Sequence, residues 1–159
     1  MENRTQGRVA MRKLTVKDFS VIKEADLEFG RVTVLIGPQS SGKSLLSKLA
    51  YFLGGEIIGM AVESLVKRNS WNDFLQSVSR EFHSRFSTKG WLKTSSWASF
   101  RSEHYSVELR GFGDPLNPEI EFAFSDDFGR LYATISERAS KQRSYPNLAL
   151  SELRQDLSY

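Results

Sequence analysis

The stretch Val32-Thr-Val-Leu-Ile-Gly-Pro-Gln-Ser-Ser-Gly-Lys-Ser44 joins two patterns of different period. Residues 32–36 are a continuous β-branched and aliphatic run between two glycines, which is typical of a central strand buried on both faces. From Ser44 to Leu53 apolar residues recur every three or four positions, which predicts an amphipathic helix. The stretch therefore predicts a strand, a glycine-containing loop and a helix in direct succession.

The loop itself has the spacing G-x-x-x-x-G-K-S, which is the pattern of a nucleotide-binding P-loop. Its two glycines allow a tight bend in which backbone N–H groups converge on phosphate oxygens, and the following helix adds partial positive charge. Lys43 supplies charge to the β- and γ-phosphates as the candidate catalytic residue, and the Ser44 hydroxyl is a candidate Mg²⁺ ligand. The predicted cofactors are ATP (or GTP) and Mg²⁺. The predicted site comprises Gly37, Pro38, Gln39, Ser40, Ser41, Gly42, Lys43, Ser44 and Leu45.

Length and composition exclude several other classes of protein. The chain has 159 residues, of which 40% are apolar, so one ordinary domain with a real core is expected and wholesale disorder is excluded. The absence of cysteine excludes disulfide scaffolds, zinc–cysteine clusters and cysteine nucleophiles. A net charge of +3 names no partner.

The remaining sequence predicts further strands, helices and turns. Strands are expected at 12–16, 25–29, 105–109, 119–124 and 130–135, a second helix at 71–86, a loop at 111–118, a hairpin turn at 126–129 and a terminal helix at 148–157. The predicted fold class is α/β, a P-loop NTPase-like mixed sheet with the P-loop and its following helix, plus a largely antiparallel β lobe. Residues 1–10 are expected to be a flexible N-terminus, and 11–159 a single P-loop ATPase domain, complete or incomplete.

The order of features from Met11 to Leu53 carries a family resemblance. A strand, an Asp18-Phe19 turn, a second strand ending in Leu27-Glu28-Phe29, and Val34-Leu-Ile-Gly-Pro38 before the loop follow one another. In this order the chain resembles the N-terminal half of SMC/RecF-like ATPases, the branch of ABC-type ATPases that includes the OLD-type proteins. The resemblance implies that ATP is held between two heads and that one head alone hydrolyses it weakly or not at all.

The sequence departs from that family in several places. Ser20 and Val21 stand where a basic residue and serine are common, and Gln39-Ser40 stands where Asn-Gly is common. Neither an ABC signature nor a convincing Walker B motif is found; the nearest acid, Asp126, follows an alternating run and is interpreted as a turn residue. The expectation is therefore a nucleotide-binding half that needs a homodimer partner, another protein or the rest of a longer chain to supply these motifs.

A basic and aromatic segment, residues 67–101, is interpreted as a helical-to-loop insertion. It holds seven Lys or Arg against two acids, and all three tryptophans, Trp71, Trp91 and Trp97. The preferred interpretation is that the rings are core and the cations a solvated face. The alternative is a DNA surface, in which cations contact phosphates and rings stack on bases.

Two rival functions remain open from the sequence. The rivals are a small P-loop kinase and a nucleotide-switched module that binds DNA or another partner.

No membrane is expected from the sequence. The apolar stretch 45–66 is interrupted by Lys48, Glu56 and Glu63, and the first ten residues lack the apolar run of a signal peptide. The expected location is the cytoplasm.

Overall fold

The computed structural model describes residues 12–86 and 92–141, and its centre is one antiparallel sheet. The strand order is β2-β1-β3-β4-β5, and every neighbouring pair is antiparallel. The strands are β1 (Arg12–Phe19), β2 (Ile22–Phe29), β3 (Trp97–Arg101), β4 (Ser106–Asp114) and β5 (Asn117–Phe124). The predicted α/β class with a P-loop NTPase-like mixed sheet is therefore wrong, because the described strands form an all-antiparallel sheet.

Side-chain alternation along the strands gives this sheet one apolar and one polar face. The register aligns Leu14 with Phe100 and Phe100 with Val107 on the buried face. On the other face Thr15 donates a hydrogen bond to Asp26 at 2.9 Å, and Lys13 pairs with the same carboxylate at 2.7 Å. These contacts, Lys13 first, hold the pKa of the Asp26 carboxyl below its usual value. The sheet thus buries a single face, as antiparallel sheets commonly do.

Helices cover the apolar face. The helix after the loop runs without a break from Lys43 to Val66, as α1 (Lys43–Tyr51), a π-helical turn (Phe52–Glu56) and α2 (Ile57–Val66). Helix α3 (Trp71–Arg85) and helix α4 (Asp126–Lys141) complete the layer. The helices predicted at 44–53 and 71–86 are confirmed.

The stretch Lys43–Val66 is long and apolar enough, by length and composition, to cross a membrane. The core helix of a soluble protein meets the same criterion. Here Leu49, Leu53 and Ile57 are fully buried and belong to the hydrophobic core. Length and composition alone therefore assign no membrane to this helix.

Three predictions in the C-terminal half are wrong. Residues 111–118, predicted as a loop, form the β4–β5 hairpin, whose tip exposes Leu116. Residues 126–129 and 130–135, predicted as a turn and a strand, belong to helix α4. The buried residues Phe128, Tyr132 and Ile135 have helical spacing, and this face outweighed the alternating pattern that suggested a strand. The terminal helix predicted at 148–157 lies outside the described residues.

The largest correction concerns residues 32–36, predicted to be a central strand buried on both faces. In the structure this segment pairs with no strand among the described residues, and its valines and isoleucine face outward. Val32 is 83% exposed, Val34 72% and Ile36 90%, while Leu35 packs against the core. The apolar run is therefore accessible immediately before the loop.

The packing of the long helix on the sheet generates a stability prediction. A Cβ on Gly54 would lie 2.7 Å from the Phe100 ring, whereas one on Gly59 in the same helix would meet nothing within 4 Å. We expect Gly54→Ala to lower the free energy of unfolding by about 1–3 kcal/mol because the helix must move away from the sheet. Gly59→Ala, the matched control, should raise it by about 0.5–1 kcal/mol by stiffening the unfolded chain. Urea unfolding of both variants measures the difference; equal effects would contradict this packing.

Candidate functional site

The loop from Gly37 to Gly42 carries two residues in the left-handed region. Ser40 has φ 62° and Gly42 has φ 87°, whereas Ser41 between them is not left-handed. Alternation of this kind turns successive N–H groups toward one concave side, which is the geometry of anion-binding nests. Gly42 is constrained further, because a Cβ there would lie 2.8 Å from Cγ1 of Ile22. The loop is therefore seated against the turn between β1 and β2.

Lys43 closes the loop on itself. Its Nζ donates to the carbonyl oxygen of Gly37 at 2.7 Å, to that of Pro38, and to Ser41 Oγ at 3.1 Å. A Cβ on Gly37 would lie 3.5 Å from Ser41 Oγ and 3.8 Å from Lys43 Cδ. The ammonium group therefore lies within the curve of the loop, and Gly37 keeps the space beside it free of a side chain.

Helix α1 begins at this loop with unpaired donors. Gly42 is its N-cap, no side chain among the described residues caps it, and its first turn contains no acid. The bond from Leu46 N to Gly42 O, at 2.9 Å, is the first of the helix, so the N–H groups of Lys43, Ser44 and Leu45 precede it. Orphan donors and the positive end of the helix dipole make such a terminus favourable for an anion.

A cavity of about 380 Å³ opens beside this helix start, a size in the range of small-molecule sites. Its wall includes Ser40 to Leu45, together with Lys48 from α1 and Arg85 with Phe86 from the end of α3. Among the described residues that line the cavity, three are cations and none is a carboxylate. Hydrogen bonding to Glu81 holds the pKa of Arg85 above its ordinary value, so its guanidinium stays charged.

The P-loop motif predicts all the loop residues of this site but not Lys48 or Arg85. In the sequence, Lys48 interrupts an apolar run and Arg85 lies in the basic and aromatic segment 67–101. No local motif marks Arg85, because its position beside the loop depends on the packing of α3. A search for basic residues on the helix that follows a P-loop would have found Lys48.

The residues present fit a phosphate group better than they fit a metal ion on its own. Gly37 leaves space, no described side chain caps the first N–H groups of α1, and Lys43 supplies charge. In the described part of the chain no group of three His, Cys, Asp or Glu residues could hold a metal. Mg²⁺ would therefore be held by the Ser44 hydroxyl, phosphate oxygens and water, as is common for this ion.

Asp126, the nearest acid to a Walker B position in the sequence, lies elsewhere. It begins helix α4 and lines a separate cavity of about 910 Å³ with residues of β5 and α3. Its neighbour Asp127 accepts a bond from Arg130 at 2.6 Å. The structure therefore does not bring either carboxylate into the wall of the loop cavity.

The described rings of the basic and aromatic segment mostly belong to the core. Phe74, Phe82 and Phe100 are buried, and the Trp71 ring packs 5.1 Å from that of Tyr132. Lys67 pairs with Glu63 at 2.5 Å on the surface. For the described rings, these contacts agree with the interpretation that the rings belong to the core. Trp91 lies outside the described residues, and the DNA partner stays a prediction.

No family model, curated protein or solved structure matches this chain. The resemblance to SMC/RecF-like ATPases therefore stays a prediction. The structure defines the local site as a loop between two glycines at the start of a helix, with the Lys43 ammonium bonded to the carbonyl oxygens of the loop.

Proposed function

We propose that this chain binds a nucleoside triphosphate, ATP or GTP, with Mg²⁺ at the loop 37–45, as the nucleotide-binding half of an SMC/RecF-like ATPase. One observation carries the proposal: three features that favour an anion lie beside the same cationic cavity. They are the loop with left-handed residues Ser40 and Gly42, the uncapped start of α1 and the Lys43 ammonium. Each element favours an anion, and the G-x-x-x-x-G-K-S spacing connects them to nucleotide phosphates.

The residues of the loop take distinct roles in this proposal. The backbone N–H groups of the loop 37–42, where every residue except Pro38 has one, hold the α- and β-phosphates, and those at the start of α1 extend the row. Lys43 exchanges its carbonyl partners for β- and γ-phosphate oxygens, and Ser44 orients Mg²⁺ through its hydroxyl. Mg²⁺, when bound, neutralises phosphate charge.

The exposed run 32–36 supports the view that this chain is one half of a functional unit. Val32, Val34 and Ile36 are together exposed beside the loop, and a large exposed apolar patch marks an interaction surface. The described residues that line the loop cavity include no carboxylate that could position an attacking water. A homodimer partner, another protein or the rest of a longer chain would cover the run and supply that group.

Calorimetric titration tests nucleotide binding. We expect Mg²⁺–ATP to bind the wild-type chain without appreciable phosphate release, and Lys43→Ala to lose at least tenfold in affinity, since a charge-assisted contact is worth about 1.5–3 kcal/mol. Gly37→Ala should likewise weaken binding at least tenfold, because its methyl group would occupy the loop near Ser41 Oγ, 3.5 Å away.

Gly37→Ala serves as its own folding control. The contacts of its new methyl group are at ordinary van der Waals distance, so its unfolding free energy should stay within about 0.5 kcal/mol of the wild type. A folded wild type that binds no nucleotide, or affinity that is unchanged in Lys43→Ala, would contradict the proposed function. Robust turnover by the isolated chain would contradict its assignment as a half.

If a partner covers the exposed run 32–36, a polar substitution in the run should weaken association without unfolding the chain. We expect Ile36→Asp to leave the unfolding free energy within about 0.5 kcal/mol of the wild type, because Ile36 is 90% exposed. The same variant should weaken any self-association or partner binding seen by sedimentation with Mg²⁺–ATP. Leu116→Asp, at a position 94% exposed on the β4–β5 hairpin, is the matched control and should change neither quantity. A loss of stability above about 2 kcal/mol in Ile36→Asp would contradict the observed exposure.

The same exposed run also favours a second candidate, a module whose association with a partner is switched by nucleotide. In that case nucleotide would change sedimentation of the chain with its partner, and phosphate release would stay absent in the assembled state. Turnover that appears only on assembly would instead support the ATPase half.

A further inference from the structure

We propose that Arg85, together with Lys48, binds the terminal phosphate and makes this site select nucleoside triphosphates over diphosphates. The inference rests on the proposed function and deepens it. Both side chains line the same cavity of about 380 Å³ as the loop residues Ser40 to Leu45. They reach it from two separate elements, the first helical turns after the loop and the far end of α3.

The cavity lies on one particular side of the loop. Its wall runs from Ser40 to Leu45, and so contains Lys43 and Ser44 but not Gly37, Pro38 or Gln39. Lys43 and Ser44 are the residues that the motif assigns to the β- and γ-phosphates and to Mg²⁺. Because Lys48 and Arg85 line the same wall as these two residues, we place the terminal phosphate beside them. Each phosphate group adds negative charge, so this side of the loop can distinguish three phosphates from two.

Arg85 is held in place yet retains donors for a ligand. Its Nε donates to Glu81 at 2.8 Å, and Nη2 pairs with Glu56 in the π-helical turn. The adjacent Phe86 ring stacks on Phe82 at 4.5 Å and fixes the backbone at the end of α3. A guanidinium carries five N–H donors in a rigid fork, so its remaining donors can bind phosphate while these contacts persist.

The two carboxylates also moderate the charge that Arg85 presents. Glu81 does not line the loop cavity but lines a different one, and its contact with a residue of the loop cavity is the one with Arg85. Oε2 of Glu56 is buried and has no hydrogen-bond partner among the described residues, so Glu56 depends on Arg85 for compensation. Removing the Glu81 charge should strengthen triphosphate binding, whereas removing the Arg85 charge should weaken it.

The test measures the affinities of AMP-PNP and ADP, each with Mg²⁺, by calorimetry on the full chain. We expect Arg85→Gln to lower the AMP-PNP affinity about tenfold and the ADP affinity less than twofold, as for loss of one charge-assisted bond to the third phosphate. Glu81→Gln should raise the AMP-PNP affinity severalfold. Arg80→Gln, on the same helix but lining another cavity, makes the same charge change as a control and should leave the ratio unaltered.

The outcomes separate the two proposals. If Lys43→Ala abolishes binding but Arg85→Gln lowers both affinities equally, or neither, the inference is overturned and the proposed function stands. If the wild type binds neither nucleotide, both are overturned. Should Arg85→Gln fail to fold, Arg85→Lys and Glu81→Gln decide: Arg85→Lys should reduce the triphosphate preference only in part, and an unchanged ratio in both variants would overturn the inference.

Discussion

The close packing of one helix on the sheet positions most of the candidate site. Gly54 lets the helix Lys43–Val66 approach the Phe100 ring, and the π-helical turn at that contact contains Glu56. One end of this helix presents Lys43 and the uncapped N–H groups to the loop, while Glu56 holds Arg85 at the same cavity. A π-helical turn often marks a functional site, and here it links the core to the cations beside the loop.

The elements that could be predicted from the sequence are those whose apolar side chains recur with the spacing of the buried face in the described core. Alternation along β1 and the three- and four-residue spacing through Leu46, Leu49 and Leu53 identified their elements correctly, because the partners of these residues lie within the described chain. The glycines and prolines of residues 111–118 suggested a loop, although a glycine with φ 87° and an edge-strand proline are both compatible with the hairpin. Arg85 could not be assigned to the site, since only tertiary packing brings it there.

The failed prediction at residues 32–36 is physically informative. The run has the composition of a strand buried on both faces, yet its side chains are exposed and its backbone pairs with no described strand. An apolar sequence pattern reflects burial of the segment against any polypeptide that it contacts when the protein functions, in the same chain or in another. The exposed run, and the lack of a carboxylate among the described residues that line the loop cavity, are both expected under the proposal that further polypeptide completes the site.

Phosphate binding by the loop can be followed residue by residue with chemical-shift mapping. In ¹⁵N-labelled protein titrated with Mg²⁺–ATP, we expect the largest amide shifts at Gly37 and at Gln39 to Leu45, with smaller shifts at Arg85 and Phe86. In Lys43→Ala the same shifts should need at least ten times more nucleotide. Shifts confined to the cavity beside Asp126 on α4, or spread evenly over the sheet, would contradict phosphate binding by the loop.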